Sequence, residues 1–195
     1  MSIEIKSDIN NLELFSENYP FRLPLRIRNF EKETEFAKFS KNCERIIRTS
    51  MEYKLWRNYI VDILGINECA ITKENVSEVS VEVHHHIPSL YILIKTIINK
   101  NIEKEIEFST FDICLESIQL HFENKVGYVV LINSIHEKFH NGFLNIPTKM
   151  VKGNYKEFLS EYNRYIDEDD LEVINSRLNI VECSSGWSRD NYPGL

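Results

Sequence analysis

The chain has 195 residues, 43% hydrophobic and 27% charged, with only 6 glycines and 5 prolines; this excludes collagen-like, low-complexity and broadly disordered chains and points to one sizeable core with appendages. Its 23 basic and 30 acidic side chains give a net charge of -7, which argues against strong sequence-independent affinity for nucleic acid while leaving room for a local basic cleft. The start, Met1-Ser-Ile-Glu-Ile-Lys, lacks the regions of a signal peptide, and no run reaches the ~18 apolar residues of a membrane helix, so a cytoplasmic protein without membrane partners is expected. Pro20 and Pro24 bracket an extended arm on which Arg22, Arg26 and Arg28 alternate with Leu23, Leu25 and Ile27; the arm either packs its apolar residues on the body or touches DNA through its arginines. Residues 31–64 carry apolar residues at helical spacing and no Gly or Pro, giving one broken or two consecutive helices closed by Gly65.

After Gly65 the period changes. Glu68 to Thr72 reads as a short strand, Lys73 to Ser77 as a turn, and Val79, Val81 and Val83 alternate with polar residues in a half-buried strand that ends in His84, His85 and His86 before Pro88. Ser89 caps a helix through about Lys100, and Ser109 or Thr110 caps a second through Asn124, with a charged loop between them. Tyr128 to Ile132 is a buried strand, and Asn133 or Ser134 caps a helix ending near Asn141-Gly142. A helix over 155–165, an acidic turn at Asp167 to Asp170, a helix to about Arg177 and a tail around Trp187 follow. Cys43, Cys69, Cys114 and Cys183 form no C-x-x-C pair, so reduced thiols are expected and a cysteine-built zinc knuckle is excluded.

All six histidines lie between positions 84 and 140. His136 and His140 stand one helical turn apart on one face, a spacing at which a helix gives two ligands to one metal ion. With Glu137 they spell H-E-x-x-H, the pattern of a zinc protease, but on a helix too short for that architecture. In an ideal strand His84 and His86 share one face and His85 takes the other. A hairpin delivering one or two imidazoles toward a helix that delivers two more makes a three-histidine metal site.

Glu82-Val-His-His with Pro88 three residues beyond His85, followed by Val129-Val-Leu-Ile-Asn-Ser-Ile-His-Glu-Lys-Phe-His-Asn-Gly142, resembles the HNH endonuclease pattern in its bacteriophage-type members. The resemblance covers residues 56–142, including Trp56 to Thr72. It implies an α+β fold with a ββα-metal core, and a metal-dependent endonuclease that hydrolyses DNA phosphodiester bonds to 5′-phosphate and 3′-hydroxyl ends. It makes His84, His136 and His140 the metal ligands and His85 the general base. Glu82 serves as a supporting carboxylate, and the cofactor is one divalent ion: Mg²⁺, Mn²⁺, Ni²⁺ or Zn²⁺. Host cytoplasm is then the expected location.

Gly127 stands where the family carries a bracing asparagine, with Asn124 as a substitute, and the insertion 89–126 is unusually long. His86 competes as a ligand if the strand end stays regular; His121 reads as an ordinary helix residue. Three segments follow: an arm and helical region over 1–66, a histidine-bearing core over 67–142, and a helical extension over 143–195. DNA is the expected partner, through Arg22, Arg26, Arg28 and Arg57 with Arg45 and Arg48, and the aromatic-rich appendages offer a homodimer surface. The alternative to catalysis is a phage-derived HNH-fold module that binds nucleic acid or protein with little turnover, favoured by Gly127 and the acidic balance.

Overall fold

The computed structural model describes residue 30, residues 32–75 and 80–182, and the backbone of three short strands near the start. Those strands, β1 (Glu4–Asp8), β2 (Asn11–Phe15) and β3 (Leu23–Leu25), pair antiparallel in the order β1-β2-β3, so Leu23–Leu25 of the expected arm are extended. Arg22, Arg26, Arg28, Val79, Cys183 and the Trp187 tail lie outside the described residues.

The Gly- and Pro-free stretch makes two consecutive helices, α1 (Glu33–Thr49) and α2 (Met51–Asn58), the second running on into a π-helical turn over Tyr59–Ile63. Ser50 separates them, its hydroxyl accepting the Tyr53 amide of α2 and supplying the cap that the first turn needs. One stripe is buried: Phe39, Cys43 and Ile47, then Tyr53, Trp56 and Ile60. Gly65 ends the run at φ 65°, a conformation that costs glycine little.

The histidine-bearing core has the order β4 (Val81–Ile87), α3 (Leu90–Glu103), α4 (Thr110–Phe122), β5 (Gly127–Ile132), α5 (Asn133–His140). Ser89 caps α3 as its position predicts, and Ser109 and Asp112 form a reciprocal capping box at α4. Leu90, Leu93, Ile94, Ile97 and Ile98 of α3 are fully buried, each contributing about 1.5–3 kcal/mol of hydrophobic stabilisation. Two boundaries differ from the sequence reading. Residues 68–72 form no strand: Ala70 to Thr72 is a turn, closed by Lys73 N–H donating to Cys69 O, with one bridge from Glu68 to Asn75 and one bond from Ala70 to Val130. Neither Asn133 nor Ser134 caps α5, which grows straight out of β5 with Ile132 at the cap position and no side-chain bond there.

β4 and β5 pair antiparallel, His84 opposite Val129, His85 opposite Tyr128 and Ile87 opposite Gly127, with a bulge at His86. Their two faces meet different cores. On one, Val83, Tyr128 and Val130 join α1, α3, α4, α6 (Tyr155–Tyr162) and α7 (Glu168–Leu178) in the main cluster; on the other, Val129 and Leu131 pack with Ile135, Leu144 and Ile146 beneath α5. The helical insertion and extension therefore share one core with the strands, an α+β arrangement. Lys95 of α3 holds α7 through Asp167 at 2.9 Å and Asp170 at 2.6 Å. The Thr148 hydroxyl lies 3.0 Å from Arg177 O and 2.9 Å from Leu178 O, fixing the end of α7. Among the described residues no helix is long and apolar enough to cross a membrane.

Candidate metal centre

The alternation of β4 decides which histidines meet. His84 projects to the α5 side, where α5 offers His136 and His140 from successive turns, and one nitrogen from each of the three lies within 4.8 Å of the others. His136 Nε2 is 3.0 Å from His84 Nδ1 and 3.0 Å from His140 Nε2. Glu82, two residues before His84 and so on the same face, places its carboxylate 3.0 Å from His136 Nδ1.

That carboxylate accepts the Nδ1 proton, so His136 turns an Nε2 lone pair toward the other two rings. One lone pair cannot satisfy two imidazole neighbours at 3.0 Å, whereas a cation can. Nitrogens at about 2.0–2.1 Å from a tetrahedral metal stand ~3.3 Å apart, close to the 3.0 Å of the two pairs that share His136 Nε2. The donor set fits a divalent transition metal, and the Glu82–His136 contact is the outer partner that metal-bound histidines carry. Burial first, then the neighbouring His136, His86 and His140 and Arg177, push His84 down to about 2; His136 is lowered by burial against the opposing pull of Glu82. Both are therefore neutral at physiological pH.

His85, expected from the resemblance to be the general base, faces the other way, into the main core. It is buried against Tyr53 and Trp56, whose ring centroids lie 5.7 and 5.3 Å from its own. His121 Nδ1 lies 2.6 Å from Ser117 O, which fixes the proton there and leaves His121 Nε2 as an acceptor. His85 Nε2, 2.7 Å away, must donate to it, and the remaining His85 lone pair at Nδ1 faces the Tyr53 hydroxyl at 3.4 Å. Both ring nitrogens are thus committed to a relay on the face away from the ligands. Burial, then His121, hold His85 well below its ordinary pKa.

His121, read from sequence as an ordinary helix residue, is this relay's second member and is 1% exposed. The available signal was its place on the buried stripe of α4 with Ile113, Ser117 and Leu120. His86 shares the ligand face with His84, ring centroids 5.8 Å apart, and is fully buried with neither nitrogen hydrogen-bonded. The Ile146 backbone approaches it without reaching hydrogen-bond geometry.

The other expected residues sort as follows. Asn124 occupies a left-handed turn at φ 58°, its backbone N–H donating to His121 O at the end of α4 and its carbonyl accepting from Asn154 N–H, so its described hydrogen bonds belong to this turn and not to the His84, His136 and His140 cluster. Gly127 leaves no room for the asparagine of the HNH pattern: a Cβ there would stand 2.4 Å from Ile87 O. Glu137 is exposed on an eight-residue helix, which leaves the H-E-x-x-H protease arrangement without its framework. Arg57 is half-buried on α2, and Arg48 and Arg45 on α1 are exposed, engaged with Glu44 and Asn42.

A family model described as "Bacteriophage G278-like virion protein" matches residues 2–190. No curated protein and no solved structure matches the chain.

Proposed function

We propose that the chain, which belongs to the bacteriophage G278-like virion protein family, is a metal-binding virion protein whose ββα unit holds one divalent ion on His84, His136 and His140. The observation carrying this reading is the Glu82-oriented His136, whose Nε2 faces two further imidazole nitrogens at 3.0 Å. Three neutral imidazoles favour Zn²⁺ or Ni²⁺ in affinity over Mg²⁺ or Mn²⁺. A metal held there supplies a Lewis acid that polarises a bound oxygen and neutralises charge on an anionic ligand. Glu82 fixes the tautomer of His136, and burial keeps His84 deprotonated and ready to bind. This makes the unit an HNH-fold binding module in the arrangement described, because His85 has no lone pair facing the ligands.

DNA endonuclease activity of HNH type is the second reading, favoured by the order of Glu82-Val-His-His, Pro88 and His136-x-x-x-His140 on a strand, a second strand and a helix. In it His85 takes a proton from water, which requires the ring to leave Tyr53 and His121 and turn toward the ligand face.

Both readings are tested on the full chain. Metal content is measured after loading with Zn²⁺, Ni²⁺, Mn²⁺ or Mg²⁺, and supercoiled-plasmid cleavage is followed in parallel, for wild type, His85→Ala and His140→Ala. One equivalent of metal in wild type, with affinity in His140→Ala reduced by more than the ~10- to 100-fold that loss of an outer partner costs, is expected; equal uptake by both overturns the metal site. Cutting by wild type that disappears in both variants, with metal retained in His85→Ala, establishes the nuclease. Metal bound without cutting leaves the binding module.

A further inference from the structure

Two thiols that share no local motif meet between α1 and α4. Cys43 on α1 is fully buried in the main cluster, and Cys114 on α4 is half-buried against it. They are 71 positions apart in sequence, and Cys114 Sγ stands 3.9 Å from Cys43 O. The two side chains are also hydrogen-bonded to each other. Cys69 lies elsewhere, buried in the cluster beneath α5, where its sulfur accepts the Thr72 amide at 3.5 Å. The described residues therefore hold one pair of neighbouring thiols, and within it Cys114 is the member that reaches solvent.

The surroundings of the two sulfurs differ in a way that suits oxidation. The hydrogen bond from Cys43 holds the Cys114 pKa below that of an ordinary thiol, and the same bond, then burial, pushes Cys43 up. Cys114 is thus both the thiol that ionises more readily and the one an oxidant can reach, the two properties that make a cysteine reactive. Cys43 stays protonated beside it. With hydrogen peroxide, the Cys114 thiolate attacks one oxygen and becomes a sulfenic acid; the hydroxide released takes up the displaced thiol proton as water. The Cys43 sulfur then attacks the Cys114 sulfur, the S–S bond forms as the S–O bond breaks, and the hydroxyl leaves as a second water with the Cys43 proton. The two thiols lose two electrons and the peroxide gains them.

We propose that Cys43 and Cys114 are a reversible dithiol–disulfide couple whose oxidation by a peroxide fastens α1 to α4. The site is separate from the three histidines and does not rest on the metal reading. The family to which the chain belongs is one of virion proteins, and disulfides persist at virion surfaces whereas cytosol keeps thiols reduced. The couple thus fits a chain that folds with free thiols and is crosslinked in the particle. Closing a loop of 71 residues restrains the unfolded chain. Since α4 also carries His121, the bridge fastens the helix on which the His85 relay depends.

The test is oxidation of the dilute full chain with a slight excess of hydrogen peroxide, for wild type, Cys114→Ser and Cys183→Ser. Thiols are counted in denaturant, bridges are mapped by non-reducing peptide mass spectrometry, and thermal melts are taken before and after. In wild type two of the four thiols disappear, one bridge joins the Cys43 and Cys114 peptides, and the melting temperature rises by about 5 °C or more. Dithiothreitol reverses all three changes. Cys114→Ser loses the bridge and the rise, and Cys183→Ser keeps both. Four thiols retained, a sulfinic acid on Cys114 without a bridge, a bridge to another cysteine or a covalent dimer each overturns the proposal. A Cys43–Cys114 bridge that leaves the melting temperature unchanged or lower overturns the fastening of α1 to α4. If Cys114→Ser already melts early when reduced, the wild-type map and melts decide by themselves, on the same outcomes.

Discussion

The two faces of β4 carry neighbouring histidines to opposite fates. On the α5 face His84 meets His136 and His140 at the edge of solvent, with lone pairs converging and one ring oriented by Glu82. On the other face His85 meets Tyr53, Trp56 and His121 in the main core, where every nitrogen of the relay has a partner. One residue of displacement along a strand separates a set of imidazoles that face one another, where the proposed cation would sit, from a set whose hydrogen bonds are complete. Proximity in sequence is thus a poor guide to shared chemistry in a strand, and completeness of hydrogen bonding is a better one.

The bulge that ends this alternation gives the largest expected effect. At Gly127 an added Cβ would lie 2.4 Å from Ile87 O and 3.0 Å from the Tyr155 Cβ, so the neighbours on both sides would have to move. Gly127→Asn, which restores the residue type of the HNH pattern, is expected to destabilise the fold by about 3 kcal/mol or more. Urea unfolding measures this. A variant as stable as wild type would show that β4 and β5 can separate at the bulge, and with it that the two faces are less fixed than their register implies.

The relay face is expected to be acid-sensitive. His121 is lowered from 6.5 to about 4, by burial first and against the Ser117 carbonyl. Between those values the unfolded chain binds a proton that the folded chain refuses, so stability is complete above about pH 6.5 and declines as pH falls toward 4. His121 alone accounts for roughly 3 kcal/mol across that window. His121→Gln can still accept from His85 through its amide oxygen and does not titrate. Its urea midpoint should therefore fall less than wild type's between pH 7 and pH 4.5, and parallel losses in the two proteins would remove His121 from the account.

Much of the ligand face was legible in the sequence, because it depends on local periods: two residues for Glu82 and His84 on β4, four for His136 and His140 on α5. The same period of two already put His85 on the opposite side, but the HNH resemblance assigned it a role facing the ligands. The relay was not legible, since His121 is 36 positions from His85 and their meeting depends on how α4 packs across β4. The Cys43–Cys114 pair was hidden for a similar reason: the two lie 71 positions apart and meet where α1 packs on α4. The misread strand at 68–72 failed because its alternation is real but only one bond ties it to β5.

His86 gives the smallest effect and the sharpest contrast between the faces. It belongs to the ligand face, yet it is as buried as His85 and its nitrogens have no hydrogen-bond partner. Burial, then Arg177, lower it to about 3, so its ring is neutral and contributes neither charge nor hydrogen bond where it stands. Replacing an unsatisfied buried polar ring by an apolar side chain of similar size removes a desolvation cost of ~1 kcal/mol or more, offset by imperfect packing against Phe139. His86→Leu is therefore expected to stabilise the metal-free chain by about 1 kcal/mol. His84 Nε2 is likewise buried without a partner, and ligating histidines gain affinity when their second nitrogen donates to a neighbour. If His86 meets that need once metal binds, His86→Leu weakens metal affinity while it strengthens the metal-free fold. Opposite signs in the two measurements would mark His86 as a residue kept for the metal; a gain in stability with unchanged affinity would make it an uncompensated remnant of the histidine run.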